Sequence, residues 1–301
     1  MKYINKTIWL TFLVIVCFSH NVAAEQYNIG ARAHHGVDEA KKQWQPTIDA
    51  LNYNIPAHHF VFIPIINIPE ITQRTKDKEL DFILTNPSSF VEIKEQYGAK
   101  ALVTLNNKRA DTAQSQFGSV IFTHAKNTDI LTLKDLENKS LMAVSKSAFG
   151  GWLVAWMEML KQGFNPQEKL KALRFTENST QPEVVKSVLS RTVDAGVVRT
   201  DLLEKMESQG LIDMRYLRII NNKDINSFPF FLSTSLYPEW AFAASRHIPT
   251  QLANEVKMTL LNITTDSKAA RSGKYVGWIP AKDYQSVKSL MKQLRFGPYE
   301  H

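Results

Sequence analysis

Four short stretches of this sequence put polar or charged side chains at the point where a β-like run gives way to a helix-like one, which is where open α/β sheets gather ligands. The richest is Ser145-Lys146-Ser147-Ala148-Phe149-Gly150-Gly151, between the apolar run 140–144 and a helical pattern that starts at Trp152. The hydroxyls of Ser145 and Ser147 and the close-packing backbone at Gly150 lie beside free N–H groups and the positive end of a helix, a setting that suits an anionic or polar group. The same residues equally make an ordinary helix cap. Asn86-Pro87-Ser88-Ser89-Phe90 follows the run 81–85 and offers an amide, two hydroxyls and a ring, although Pro87 also serves simply to end a strand. Arg199-Thr200-Asp201 follows Val197-Val198. There an arginine fork suits a carboxylate, phosphoryl or sulfonyl group and Asp201 an amine or hydroxyl; the alternative is an N-cap by Thr200 or Asp201 with Arg199 at the surface. His34-His35-Gly36 follows the first strand. Paired histidines suggest a metal, but no carboxylate or cysteine stands at a familiar ligand spacing, so polar ligand contact or plain loop chemistry is expected, with no metal and no cofactor.

Motifs of catalysis are missing: the sequence has no HExxH, GxSxG, GxxxxGK[ST] or strand-following GxGxxG. Glu158 and Glu177 are the carboxylates placed to act as bases, and nothing pairs either with a nucleophile or a second acid. The expectation is a binding protein that catalyses no reaction.

The first residues bear on the compartment. Lys2 and Lys6 precede an apolar run over 8–18, then Ser19-His20-Asn21 and Val22-Ala23-Ala24. This is the pattern of a cleaved secretory signal peptide over 1–24, with the run too short to span a bilayer. Cys17 lies inside that run behind the bulky Val16, which argues against a lipid anchor. It is the one cysteine of the 301 residues, so the mature chain is expected in the periplasm without disulfides or thiolate chemistry. Without Lys2 and Lys6, 34 of the 36 basic residues face 29 acidic ones, scattered rather than clustered. That is a weak anion bias, not a nucleic-acid surface. A monomer is the default expectation.

These residues must be held by an α/β scaffold, because short β-like runs alternate with helical segments along the whole chain. Strands are expected at 27–30, 60–64, 81–85, 101–105, 117–123, 140–144, 172–175, 194–198 and 216–220. Helices are expected at 38–52, with Pro46 kinking or restarting it, and at 69–79, 88–96, 152–162, 182–189, 202–208, 249–262, 266–274 and 284–294. Residues 131–136 read as a short helix capped by Thr132, and the polar stretch 106–116 reads as a loop at a domain border. Residues 117–123 cross to a second lobe; 228–233 and 240–244 return. The lobes are thus expected as 25–117 plus 229–301, and 118–228.

At these residues the chain resembles the phosphate/phosphite/phosphonate-type periplasmic binding proteins, especially the version that serves as the sensor domain of tetrathionate-sensor-like histidine kinases. The resemblance runs through Trp44-Gln45-Pro46, 81–87, 117–122, 147–151, 195–203, Leu236-Tyr237-Pro238-Glu239-Trp240 and 294–299. It implies a type II periplasmic-binding-protein fold, two α/β lobes joined by two crossing strands and closing on ligand by hinge motion. It implies a site made from all four stretches: His34 and His35; Asn86, Ser88 and Phe90; Ser145, Ser147, Ala148, Phe149 and Gly150; and Arg199, Thr200 and Asp201. Closure is expected to bring Arg199 towards Asn86. Phe90 stands where phosphonate binders usually carry tyrosine, and Ser147-Ala148-Phe149 replaces a run of hydroxyls, so Phe90, Phe149 and Trp152 suggest a more apolar wall. The implied partner is a membrane permease of the ABC type or a separate sensor kinase. Kinase-linked relatives continue into a membrane helix and catalytic domains beyond the Gly-Pro-Tyr motif, so this chain is not expected to signal alone.

Overall fold

The computed structural model describes residues 24–33, 36–177 and 179–300, so the expected signal peptide through residue 23 and both His34 and His35 lie outside the described residues. In the first lobe β1 (Glu25–Arg32) leads to α1 (Val37–Asn54), β2 (His58–Ile65), α2 (Ile68–Lys76), β3 (Phe82–Thr85), α3 (Pro87–Tyr97), β4 (Lys100–Arg109) and β5 (Thr112–Gln114). The chain crosses through β6 (Gln116–Phe117) into β7 (Ser119–His124) and β8 (Ser140–Ala143). A single π turn at Phe149–Leu153 then runs into α4 (Val154–Lys161). The second lobe continues with α5 (Pro166–Lys169), β9 (Ala172–Phe175), α6 (Gln181–Leu189), β10 (Ala195–Arg199), α7 (Leu202–Ser208) and β11 (Leu217–Ile220). The return consists of β12 (Tyr237–Pro238), β13 (Ala241–Ala244), α8 (Thr250–Leu261), α9 (Lys268–Gly273), β14 (Tyr275–Pro280) and α10 (Gln285–Gln293).

Two sheets result. The first has the order β14-β4-β13-β3-β1-β2 with β5 on the edge of β4, and the second β11-β7-β10-β8-β9. β1 runs parallel to β2 and β3, while β13 is antiparallel to both β3 and β4. β4 therefore points the same way as β1 and β3, and the carboxyl ends of all three share one edge. In the second sheet β8 is parallel to β9 and β10, which puts the turns after β8 and β10 on one edge too. Where the chain crosses, Phe117 pairs with Tyr237 and Gln116 with Pro238 in a separate two-stranded ribbon.

Apolar periodicity explains the layers. Trp44, Ile48 and Leu51 on one face of α1 pack with Phe60, Phe82 and Phe242 of the sheet, and Ile65, Ile71, Leu80, Ile83 and Ile93 fill the opposite face under α2 and α3. In the second lobe Val184, Val185 and Val188 of α6 cover Val120, Phe122 and Val198. A further cluster runs from Leu141 and Trp152 through Phe117, Phe149 and Tyr237 at the crossing to Phe90, Tyr284 and Leu290 in the first lobe, so the lobes share apolar contacts at their junction. No helix among the described residues is long and apolar enough to cross a membrane.

Five local expectations need correction. Pro46 sits inside a continuous α1, so the helix does not restart there; the carbonyl it strips of a donor is that of Lys42, an exposed residue. The stretch 106–116 is a hairpin, with Asn107 opposite Gln114 and Arg109 opposite Thr112, because backbone pairing needs no apolar side chains. Residues 228–233 form no strand, and the return pairs with the first crossing strand at Tyr237–Pro238; Pro229 supplies no ladder donor before that. At 131–136 only Lys134–Leu136 turn, as a 3₁₀ segment, and the Asp135 carboxylate accepts from the N–H groups of Leu131 and Thr132 and the Thr132 hydroxyl, the reverse of the expected cap. Lys274, at φ 56°, ends α9 and frees the alternating Tyr275–Pro280 to pair with β4.

Gly118 marks the tightest point of the crossing. A Cβ on it would lie 2.6 Å from Leu232 Cδ1, 2.7 Å from Thr234 Oγ1 and 3.0 Å from the Ser235 carbonyl oxygen, so both crossing segments must pass at backbone distance. Gly118→Ala is expected to destabilise the protein by about 1–3 kcal/mol through overpacking, read as a lower urea midpoint; an unchanged midpoint would mean that the crossing is looser than described.

Candidate functional site

Apart from His34 and His35, which lie outside the described residues, each sequence-chosen residue falls on one of the two sheet edges, but the side chains take different jobs. Asn86 ends β3 and caps α3: its Oδ1 accepts from the N–H groups of Ser88 at 3.0 Å and Ser89 at 3.1 Å and from Ser88 Oγ at 2.8 Å, and all three residues are buried. The cap alternative to a ligand contact thus has a concrete geometry for Asn86 and Ser88. Phe90 is buried with its ring edge-on to Tyr284, centroids 4.8 Å apart. Phe149 is likewise buried, edge-on to Phe117 at 5.9 Å and Tyr237 at 5.4 Å. Both rings belong to the junction core.

Ser145, Ser147 and Ala148 lie half-buried on the turn between β8 and the π turn, which the Ala148 N–H closes onto the Ser145 carbonyl at 3.1 Å. No side chain caps the π turn. Gly150 is pressed into the crossing: a Cβ there would come within 2.7 Å of the Phe117 ring and 3.2 Å of Arg199 Cγ, and its carbonyl accepts from Ser119 Oγ at 2.7 Å. Thr200 is tied to the same place, its N–H donating to the Gly118 carbonyl at 3.2 Å and its Oγ1 accepting from the Gly118 N–H at 3.3 Å.

Arg199 is not free to meet a ligand. Its Nη2 donates to Glu239 Oε1, its Nε stands 3.8 Å from Asp201 Oδ1, and its guanidinium lies over the Phe117 ring at 4.1 Å. Asp201, at a left-handed φ of 75°, turns its carboxylate to Arg109 Nη1 at 3.3 Å instead of capping α7. Glu239 is fully buried and also accepts from Asn107 Nδ2 at 2.9 Å, with Arg109 Nη2 at 3.8 Å. Burial pushes the Glu239 carboxyl up, but Arg199 and Arg109 outweigh it and hold the group below its ordinary value. Burial, followed by repulsion from Arg199, pulls the Arg109 guanidinium below its own. Arg109 comes from the first lobe, Arg199 and Asp201 from the second, and Glu239 from the return segment, so this cluster joins the lobes at their pivot.

The structure therefore brings Phe149, Gly150, Arg199, Thr200 and Asp201 together around the first crossing. Asn86, Ser88 and Phe90 sit at the start of α3, with no hydrogen bond or ion pair among the described residues joining them to Arg199. Asp201 also lines a cavity of about 680 Å³ between the lobes, bounded by Lys108, Arg109, Arg271, Lys274 and Tyr275 on one side and Asp201, Glu204 and Lys205 on the other. Five cationic side chains face it against two carboxylates. Arg109 and Asp201 are paired with each other, which leaves four cations against Glu204, whose carboxyl is raised above its ordinary value by burial. The gap is basic. Among the described residues no group of three His, Cys, Asp or Glu side chains is placed to hold a metal ion.

Sequence reading missed Arg109, Glu239 and the lysines of this cavity. Glu239 had a signal, since it is a lone carboxylate in the run Leu236–Ala244 and a charge there must be paired. Arg109 had none, lying in a polar stretch with no pattern to single it out.

Comparison with known proteins adds to this geometry. Residues 29–285 match the family model described as ABC transporter, phosphonate, periplasmic substrate-binding protein. The chain is 28% identical over 301 residues to the tetrathionate sensor histidine kinase TtrS of Salmonella typhimurium, covering 99% of this chain and 48% of that protein; it thus spans about half the length of this curated relative. XAC2383 from Xanthomonas citri, solved bound to ATP, superposes with a TM-score of 0.72 at 14% identity over 90% of this chain and 98% of that one. PhnD1 from Prochlorococcus marinus, solved with methylphosphonate, does so with a TM-score of 0.69 at 17% identity over the same shares. These likenesses show the two-lobed α/β fold.

The pivot cluster has a pH signature. The folded-state value of Glu239 is depressed, so its stabilisation is complete above the unfolded value near 4.5 and is lost as pH falls through the lower folded value. Glu239→Gln is expected to cost about 3–5 kcal/mol at neutral pH, since it strands a buried guanidinium. The gap to the wild-type protein should narrow in denaturation measured at successively lower pH; a gap constant with pH would mean that Glu239 does not carry a charge in the fold.

Proposed function

The chain belongs to the periplasmic substrate-binding proteins of phosphonate-type ABC transporters, and from that premise we propose that it captures a small anion between its lobes and releases it chemically unchanged to a membrane partner. The observation that carries this reading is the basic gap between the lobes, where Lys108, Lys205, Arg271 and Lys274 face the single carboxylate of Glu204 once the paired Arg109 and Asp201 are set aside. Cations at the mouth of a cleft with low-dielectric walls concentrate anions and speed their entry. The ordinary binding-protein cycle supplies the rest: ligand contacts that are complete only with the lobes together shift the population to the closed form. Export through the signal peptide, with cleavage before Glu25, delivers the chain to the compartment of its family.

A second reading is favoured by the likeness to a tetrathionate sensor. In it the closed clamp docks on a separate membrane kinase instead of a permease. Site-specific photo-crosslinking from the outer rims of the lobes in intact cells separates the two by the protein captured.

Calorimetry with methylphosphonate, inorganic phosphate and tetrathionate, paired with solution scattering, tests the proposal. At least one of these anions should bind, with affinity falling as salt rises and the radius of gyration shrinking on binding. Lys205→Ala with Lys274→Ala should slow association about tenfold at low salt, with the difference vanishing at high salt. An anion that binds equally well at all salt concentrations, or none that binds, would refute the basic gap as the entry.

A further inference from the structure

Resting on the reading of the gap as an anion site, we infer that Arg32, at the carboxyl end of β1, is the residue that holds the anion by its guanidinium fork in the first lobe. Arg32 pairs with Ile65 of β2 and stands one residue beyond the Ala31–Leu84 pair with β3, so its backbone lies beside Thr85, immediately before the Asn86 turn. Gly30, two residues earlier, faces the Leu80 and Ile65 side chains, which lie under α2 and α3. Strand alternation puts Arg32 on that same face, at the end of the sheet where α3 begins.

No hydrogen bond, ion pair or ring contact engages the Arg32 side chain among the described residues, and its Nε is buried without a partner. Burial alone accounts for the lowering of its pKa, with no acidic neighbour to offset it. Arg109 and Arg199 also have a buried Nε without a hydrogen-bond partner, but both are ion-paired to Asp201 and Glu239, and it is the missing counter-ion that sets Arg32 apart. A half-buried guanidinium without a counter-ion weakens the fold, and a planar fork of five donors matches a tetrahedral or carboxylate oxyanion that would supply the missing charge. A second donor waits nearby in the chain: the Ser89 hydroxyl on the first turn of α3 is buried and has no partner. The α3 N-terminus adds a positive field there. Arg32 lies level with Thr85, Ala241 and Thr104 across the sheet, and Arg109 stands three strands away and five residues farther along β4, roughly 20 Å off at the usual strand spacing and rise. Arg32 does not line the cavity by β4, so entry falls to that basic mouth and retention to a guanidinium farther along the same sheet edge, by β1.

The test combines stability and binding on the mature protein. Arg32→Met removes the uncompensated charge and Arg32→Lys keeps charge without the fork. If Arg32 exists for a ligand, Arg32→Met should unfold at the same or a higher temperature than wild type without anion. It should also lose the added stability that methylphosphonate, phosphate or tetrathionate gives the wild-type protein. Its affinity for whichever probe binds should drop about 10- to 150-fold, the range for hydrogen bonds to charged groups, mostly through faster release; Arg32→Lys should fall between. Wild-type binding matched by Arg32→Met overturns the role of Arg32 and leaves the proposed function standing. A marked loss of stability in anion-free Arg32→Met and Arg32→Lys alike shows a structural arginine and overturns it too. Failure of the wild-type protein to bind any of the three anions overturns both together.

Discussion

The buried Glu239 carboxylate is the group on which the arrangement of the lobes turns. An isolated carboxylate removed from water costs several kcal/mol, and only close, well-directed partners offset that. Asn107 and Arg109 from the first lobe and Arg199 from the second meet it. Three segments distant in sequence must therefore converge before the charge is satisfied, and the junction can form only in the register that the Phe117–Tyr237 pairing sets. Because the cluster sits at the crossing, a rotation of one lobe about the other displaces its members little, while groups farther out along the sheet edges move in proportion to their distance. Ion pairs at a pivot can stay intact through a motion that opens and closes the gap.

This placement changes which charges a guest can feel. Arg199 already shares Glu239 and Asp201 and rests on the Phe117 ring, and a neutralised guanidinium projects little field beyond its partners. Phe90 and Phe149 are committed in the same way, to Tyr284 and to the Phe117–Tyr237 ribbon. The strongest-looking binding residues of the second and third stretches thus build the frame. Ser145, Ser147 and Ala148 lie half-buried on the turn after β8, while the cavity between the lobes is lined by Lys108, Lys205, Arg271 and Lys274.

Much of the scaffold was legible because burial leaves a local mark. The wholly buried runs Phe82–Thr85 and Ala195–Val198, the helix start after Asn86, the one that carries Pro182 in its first turn, and the crossing at Phe117 each carry apolar or turn residues that admit few alternatives. The hairpin over 106–116 was illegible, since Asn107, Lys108 and Arg109 pair through backbone atoms that every residue has. Arg199 was read correctly as lying at a strand end, but its partner is 40 residues away and no local pattern connects them. Phe90 shows the limit most plainly: an aromatic ring that lines a cleft and one that fills a core obey the same spacing, and only the position of Tyr284 decides between them. The glycines are the reverse case. Gly150 signalled close approach, and it meets the opposite segment at distances that leave no room for a Cβ; Gly118, which no pattern singles out within its strand, does the same.

The division between a neutralised pivot and a charged gap follows from what each must do. At the pivot, charge must not depend on occupancy, or the lobes would lose their alignment whenever the guest departed; Glu239 answers with partners drawn wholly from the chain. Inside the gap the requirement reverses. A cation already satisfied by the protein gains nothing from an anion, because the exchange replaces one pair by another, whereas one left half-dry without a counter-ion gains the full interaction and improves the stability of the closed form. The selective groups of such a clamp should therefore be sought among its least satisfied side chains and not among its most elaborate ion pairs, and by that criterion the end of β1 outranks the turn after β10.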